Sequence, residues 1–221
     1  MTSPPPRIRL PLAGLGLVTI AFLAYALPPY LGLDPAQSRL PTRPGAHYPL
    51  LVTHILLGSV VLVTAVLQLW PWLRRTRPDV HRWSGRIYVL AAVPAGFAAL
   101  AVAPLGSMGL NQRMANTVLA LLWLGTTITG YVMARRRRYP QHREWMVLSF
   151  ALAFSIVLNR VWTSVCVHAF VPDTGDLTAM QQAVGAGSWL SWLVNLLVAE
   201  WWMQHTRHRR RATLPETAVA R

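Results

Sequence analysis

Long apolar blocks constrain this chain more than any other feature. Six stretches of apolar residues follow one another along the 221 residues. A helix needs about 20 residues, at about 1.5 Å each, to cross the ~30 Å hydrocarbon core of a bilayer. The chain is 53% hydrophobic and 13% charged, a balance that leaves a soluble fold poorly solvated. The sequence therefore predicts an all-α, polytopic membrane bundle of about six transmembrane helices.

The predicted blocks cover residues 10–33, 50–73, 86–105, 114–134, 145–170 and 189–204. They divide the chain into a first helix with an external loop (1–48), a four-helix core (49–170), a loop with the last helix (171–205) and a basic disordered tail (206–221). The segment from Ala24 to Ala26 resembles a signal-peptide cleavage site. A cleaved signal peptide is therefore the alternative to a first transmembrane helix, and Pro28 and Pro29 are expected to bend or end that helix.

The basic residues indicate how the helices are oriented. All 21 are arginines, and the formal net charge is +14. Seventeen lie at the N-terminus, in the 74–86 and 135–143 connections or in the C-terminal tail, whereas three lie on the opposite side and Arg160 lies inside a block. The positive-inside rule then predicts cytoplasmic termini in a multi-pass protein of the bacterial inner membrane. Because topology explains the charge, we expect no nucleic-acid partner.

The two basic connections repeat each other at an offset of 61 residues. Arg74, Arg75, Arg77, His81 and Arg82 recur as Arg135, Arg136, Arg138, His142 and Arg143. A proline, Pro78 or Pro140, shortly precedes each histidine, which suits the first turn of a helix. We expect His81 and His142 in the first turn of two outgoing helices, at one depth. The arginines of both connections are predicted to contact anionic lipid headgroups on the cytoplasmic side.

These motifs resemble a known family. The runs are His81-Arg82-Trp83-Ser84-Gly85-Arg86-Ile87-Tyr88 and His142-Arg143-Glu144-Trp145-Met146, with His54 and Gln68 before them and Asn159-Arg160 after them. In this order they are similar to a bacterial family of predicted multi-pass membrane proteins with a domain of unknown function. The resemblance covers about residues 50 to 165 and implies no particular activity. It leaves out the last helix and the Arg-rich tail.

Several polar side chains fall inside the predicted blocks. They are His54, Gln68, Asn159, Arg160, Asn195 and Glu200. A charged group in the hydrocarbon region costs roughly 2.5–3.5 kcal/mol on insertion scales, so each one needs a partner or a role. From their depths we expect His54, Arg160 and Asn195 to share a site in the outer leaflet. His168 lies nearer the outer surface.

Haem b is the candidate cofactor for the histidines. Imidazoles on facing helices coordinate haem iron, and arginines hold its propionates. His81 with His142 would serve a cytoplasmic-side haem, and His54 with His168 an outer one, with Arg160 as a further tentative ligand-binding residue. The alternative for His81 and His142 is a structural hydrogen bond across the end of the bundle. His54 has the same alternative, a bond between helices.

Other roles stay open. Arg160 is either satisfied by carbonyls or by Asn195, or binds an anionic substrate. Glu200 either snorkels to the inner interface or relays protons. Cys166 is the only cysteine, so no Cys-based metal site is expected, and no residue is assigned a catalytic role.

The predicted function is a haem- or quinone-binding bundle in membrane redox chemistry. The alternative is a cofactor-free transporter or an accessory subunit of a membrane complex, and whether the chain is an enzyme stays undecided.

Overall fold

A computed structural model describes the backbone of residues 10–172 and 175–212 and the side chains of residues 12–172 and 175–207. Within these ranges the chain forms helices and no strand. Two short 3-10 turns cover Pro35–Gln37 and Ala103–Leu105. The α-helices, in chain order, are α1 (Leu10–Ala26), α2 (Pro28–Leu31), α3 (His47–Leu69), α4 (Pro71–Thr76), α5 (Pro78–Val102), α6 (Gly109–Arg135), α7 (Tyr139–Phe170) and α8 (Leu177–Ala212).

Five of the described helices, α3 and α5 to α8, are long and apolar enough to cross a membrane. The predicted all-α membrane bundle is therefore confirmed. The first predicted helix, α1, is apolar but has 17 residues, and Pro28 begins the short α2 directly after it. At 17 residues α1 is at the lower limit of the length that spans a bilayer.

The helices extend beyond the apolar blocks that the sequence indicates. α5 begins at Pro78 rather than at 86, α6 at Gly109 rather than at 114, and α7 at Tyr139 rather than at 145. α8 covers Leu177–Ala212 rather than 189–204 and passes the predicted domain boundary at 205. Hydropathy locates the apolar stretch of each helix, whereas helical hydrogen bonding continues beyond that stretch. Residues 213–221, the rest of the predicted tail, lie outside the described residues.

The four helices at the centre form two antiparallel hairpins. Hairpin one consists of α3 and α5 joined by α4, and hairpin two consists of α6 and α7. α5 and α7 begin 61 residues apart, the offset of the Arg and His repeat, and they run in the same direction. α8 packs against α6 and α7, while α1 contacts α3. We call the end that carries residues 70–82 and 135–143 the Arg-rich end.

The core lies where both hairpins meet α8. Alanines of α5 allow the helices to approach closely, which is how membrane helices pack without a hydrophobic driving force. Aromatic residues from three helices fill the remaining space. The buried members are Val61, Ala65, Tyr88, Ala91, Ala92, Ala95, Trp123, Leu152 and Trp192.

Candidate functional site

A buried chain of hydroxyl groups joins the two hairpins. The Tyr88 hydroxyl of α5 lies 2.7 Å from the Ser149 Oγ of α7. Ser149 Oγ in turn lies 2.6 Å from the Thr127 Oγ1 of α6, which donates to the Trp123 carbonyl at 2.7 Å. Tyr88, Thr127 and Ser149 are almost completely buried. These bonds connect α5, α6 and α7 at this level.

The paired histidines lie on the same faces as this contact. His81 precedes Tyr88 by seven residues, and His142 precedes Ser149 by seven residues. Seven residues make about two helical turns, so each histidine lies on the face of its contact residue, about 10 Å nearer the Arg-rich end. Because α5 and α7 run in parallel, His81 and His142 lie at one level near the Arg-rich end.

The predicted helix positions of both histidines are confirmed. The His81 backbone N–H donates to the Arg77 carbonyl at 3.1 Å, and that of His142 donates to the Arg138 carbonyl at 2.9 Å. Pro78 and Pro140 lie in the first turns of α5 and α7. The two imidazoles therefore lie at equivalent positions of the repeat.

His142 has a defined orientation. Its Nδ1 lies 2.8 Å from the Gly130 carbonyl of α6. A carbonyl only accepts, so Nδ1 carries the proton and, in the neutral ring, Nε2 keeps its lone pair. Metal-binding histidines commonly hold their second nitrogen in this way. The arrangement also supplies the structural hydrogen bond that was the alternative for this residue.

His81 differs from His142 in its hydrogen bonding. Gln68 of α3 takes over the contact between the helices, because its Nε2 donates to the His81 carbonyl at 2.8 Å and to Ser84 Oγ at 2.5 Å. The Nδ1 of His81 is buried and has no hydrogen-bond partner among the described residues. Gln68 is thus a structural tie, and His81 Nδ1 is left unsatisfied at this end of the described bundle.

His54 lies inside the bundle and bonds between helices. Its Nδ1 lies 3.0 Å from the Ala95 carbonyl of α5, and its ring meets Trp123 of α6 edge-on, with centroids 6.4 Å apart. Trp123 is one turn from Thr127, the partner of Ser149. The geometry corresponds to the interhelical hydrogen bond that was one of the two alternatives.

His168 is not brought to His54. It is exposed, and its Nδ1 bonds to the Ser164 carbonyl of its own helix at 2.7 Å. His168 lies 19 residues beyond Ser149, about 28 Å along α7. Because His54 packs within one or two turns of the Ser149 level, the two imidazoles are too far apart for one iron.

The polar residues of α7 and α8 pair with each other instead of with Arg160. Asn159 Nδ2 donates to Ser188 Oγ at 3.4 Å, and Asn195 Nδ2 donates to the Ala151 carbonyl at 3.0 Å. Arg160 lies nine residues beyond Ala151, about 14 Å along the helix. It is exposed and makes no hydrogen bond or ion pair within the described residues. The structure therefore does not join Arg160 to Asn195.

Glu200 opens into a cleft at the Arg-rich end. Its Oε1 accepts a hydrogen bond from Gln204 at 3.0 Å. The cleft, about 430 Å³, also contains Arg138, Glu144 and Arg207. Glu200 lies five residues from Asn195 in the direction away from Arg160, so about 21 Å separates Glu200 from Arg160 along the bundle. These two charges do not pair.

The arginines of the connections are exposed at this end. Arg82 pairs with Asp79 at 2.5 Å, and Arg207 of α8 pairs with Glu144 of α7 at 2.6 Å. The remaining residues predicted to contact lipid are exposed or half-buried, and their contact with headgroups stays a prediction. They are Arg74, Arg75, Arg77, Arg135, Arg136, Arg138 and Arg143.

The central residues Thr127, Ser149 and Trp123 were missed by the sequence reasoning. Extending the 61-residue offset from His81 and His142 by seven positions would have paired Tyr88 with Ser149. Thr127 and Trp123 carry no such signal, because the residues 61 positions earlier, on α3, are not polar.

Among the described residues, no group of three or more His, Cys, Asp or Glu side chains lies together.

Comparison with known proteins identifies the family. A family model described as a predicted membrane protein (DUF2306) matches residues 51–203. The match therefore runs on from residue 165 through most of α8, which the motifs had left out. The searches of curated proteins and of solved structures return no match. The cytoplasmic location of the chain's termini and the location of the protein in the bacterial inner membrane stay predictions. The chain belongs to the DUF2306 family of predicted membrane proteins, whose domain has no known function.

Proposed function

We propose that this membrane bundle carries one haem b between His81 and His142 and transfers electrons within the membrane. The observation that supports the proposal is the placement of these two histidines at one level of the parallel helices α5 and α7. They lie at equivalent positions of a repeat, each seven residues from the Tyr88–Ser149 contact. A haem ligated from two parallel helices needs this type of pairing.

The hydrogen bonding of the two histidines supports the proposal. The bond from His142 Nδ1 to the Gly130 carbonyl leaves Nε2 as the ligand atom. The Nδ1 of His81 is buried and has no hydrogen-bond partner among the described residues, so no structural bond through this nitrogen ties the ring to a neighbouring helix. Arg77 and Arg138 lie one turn before the two histidines and are exposed, which suits them to hold propionates.

The chain's own residues would define the chemistry. Two imidazole ligands leave haem iron no open position, so the group supplies one-electron transfer rather than oxygen chemistry. The Tyr88, Ser149 and Thr127 hydroxyls lie about two turns further into the membrane and would bound the site on that side. A quinone is the second lipid-soluble cofactor that this end would suit, with His81 Nδ1 donating to a quinone carbonyl.

Optical spectroscopy tests the proposal. Full-length protein is expressed with haem supplied and purified in mild detergent, and a reduced-minus-oxidised spectrum is recorded. We expect Soret and alpha bands that disappear in His81→Ala and His142→Ala. The matched control is His168→Ala, because His168 is exposed and bonds only to its own helix; its spectrum should equal that of the wild type.

Two results would overturn the haem proposal. One is a colourless, helical preparation, for which organic extraction then separates a quinone binder from the cofactor-free alternative, a transporter or an accessory subunit. The other is a haem spectrum that survives both substitutions, because the iron would then have other ligands.

A further inference from the structure

A second cleft at the Arg-rich end combines cationic and apolar walls. It lies between α4, α7 and α8 and has a volume of about 470 Å³. Arg74 and Arg143 give it charged lining, and Tyr139 and Trp202 give it aromatic lining. Val147 and Met203 add apolar side chains. The cleft therefore combines cationic, aromatic and apolar groups.

The charge in this cleft is positive. Its one lining carboxylate, Glu144, is paired with Arg207, with 2.6 Å between Arg207 Nη2 and Glu144 Oε1. Arg74 forms no ion pair within the described part of the chain. The cleft also borders the N-terminus of α7 at Tyr139, where the helix dipole adds to the positive field. An anion is the matching ligand.

Arg143 lies over the Trp202 ring. Its guanidinium carbon is 5.4 Å from the ring centroid, in a cation–π contact between α7 and α8. Stacking on an aromatic face is compatible with N–H donors in the plane of the guanidinium binding a phosphate through two bonds. Arg74 on α4 supplies a second cation from the other hairpin.

We propose that this cleft binds the phosphate of an anionic phospholipid, with Arg74 and Arg143 on the headgroup and an acyl chain along Val147 and Met203. Three features indicate a lipid rather than a soluble anion. The cleft lies at the ends of membrane-spanning helices, tryptophan and tyrosine line it as at a membrane interface, and Val147 and Met203 add apolar lining. The bound lipid would link hairpin one, hairpin two and α8. The site is independent of the haem proposal, because none of its residues is a proposed iron ligand.

Native mass spectrometry tests the site. Full-length protein in detergent is titrated with phosphatidylglycerol and, separately, with phosphatidylcholine of the same acyl chains. We expect one phosphatidylglycerol to be retained in preference to phosphatidylcholine. Each arginine near anionic lipid contributes about fivefold in affinity, so the double variant Arg74→Gln/Arg143→Gln should lose about 25-fold. Arg143→Lys, which keeps the charge but not the planar donors, should lose less.

The control is the double variant Arg75→Gln/Arg136→Gln. It removes two exposed arginines of the same connections that do not line the cleft. Its affinity should change by less than about twofold, because neither side chain lines the cleft and exposed charges are screened by salt. Circular dichroism on every variant separates lost binding from a lost fold.

Three results would overturn the lipid site. Equal retention of both lipids would remove the role of the anionic charge. An equal loss in the control variant would indicate general attraction to the Arg-rich surface. Displacement of the lipid by millimolar inorganic phosphate would make a free anion the occupant.

Discussion

Hairpin one and hairpin two close their Arg-rich ends with different side chains. In hairpin one, Gln68 of α3 donates to the His81 carbonyl and to Ser84 of α5. In hairpin two, His142 of α7 donates from Nδ1 to the Gly130 carbonyl of α6. The residue equivalent to Gln68 is Thr129, which makes no side-chain hydrogen bond within the described residues. The side chain that ties the two helices together thus lies on the first helix of hairpin one and on the second helix of hairpin two.

This difference explains why the two histidines are unequal. Because Gln68 already ties α3 to α5, the His81 imidazole is not needed to hold the hairpin, and its Nδ1 stays unpartnered. His142 both ties its hairpin and presents Nε2. One repeat thus holds its imidazole rigidly, while the other leaves its imidazole available for a ligand.

The glycines sharpen the comparison and give the largest expected effect. A Cβ at Gly130 would lie 2.7 Å from Met146 Sδ and 3.4 Å from Trp145 Cβ, whereas one at Gly85 would lie 3.4 Å from Gln68 Oε1. Gly130→Ala should therefore lower the free energy of unfolding by about 1–3 kcal/mol through overpacking. Gly85→Ala, in an ordinary contact and with better helix propensity, should be near neutral. Reversible unfolding in mixed detergent micelles measures both, and equal effects would contradict the difference between the hairpins.

Removing the Gln68 tie should have a smaller effect. Gln68→Leu deletes two hydrogen bonds between α3 and α5, and such bonds in membrane helices contribute about 0.6–1.7 kcal/mol. Thr129→Val at the equivalent position of hairpin two should change stability by less than about 0.5 kcal/mol. The same unfolding assay compares them. A cost for Thr129→Val as large as that for Gln68→Leu would show that the hairpins are tied alike.

Much of the fold was predictable because a helix that spans a lipid bilayer must be apolar over most of its length. Blocks of apolar residues indicate the spanning helices, and proline before each histidine marks the starts of α5 and α7. The other helix ends were not predictable, since arginine and histidine continue a helix into the headgroup region as easily as they end one.

The site was only partly predictable, because the depth of a residue in the membrane does not indicate which face of a neighbouring helix it contacts. The repeat indicated that His81 and His142 share a level. The depth of Arg160 suggested a site with His54 and Asn195, yet Asn195 bonds to the Ala151 carbonyl. The partners of Gln68 and Thr127 are determined by how the helices pack, which composition and spacing do not predict.

The facing of His81 and His142 across α5 and α7 is the central claim, and cysteine cross-linking tests it without any cofactor. In a Cys166→Ser background, His81→Cys and His142→Cys are combined and treated with a bismaleimide of about 8–10 Å, the spacing of packed helices. Glu144→Cys with Arg207→Cys, at an exposed ion pair of α7 and α8, is the positive control, and His81→Cys with His168→Cys is the negative control. We expect the 81/142 pair to cross-link as completely as the 144/207 pair. Cross-linking of 144/207 alone would contradict the account.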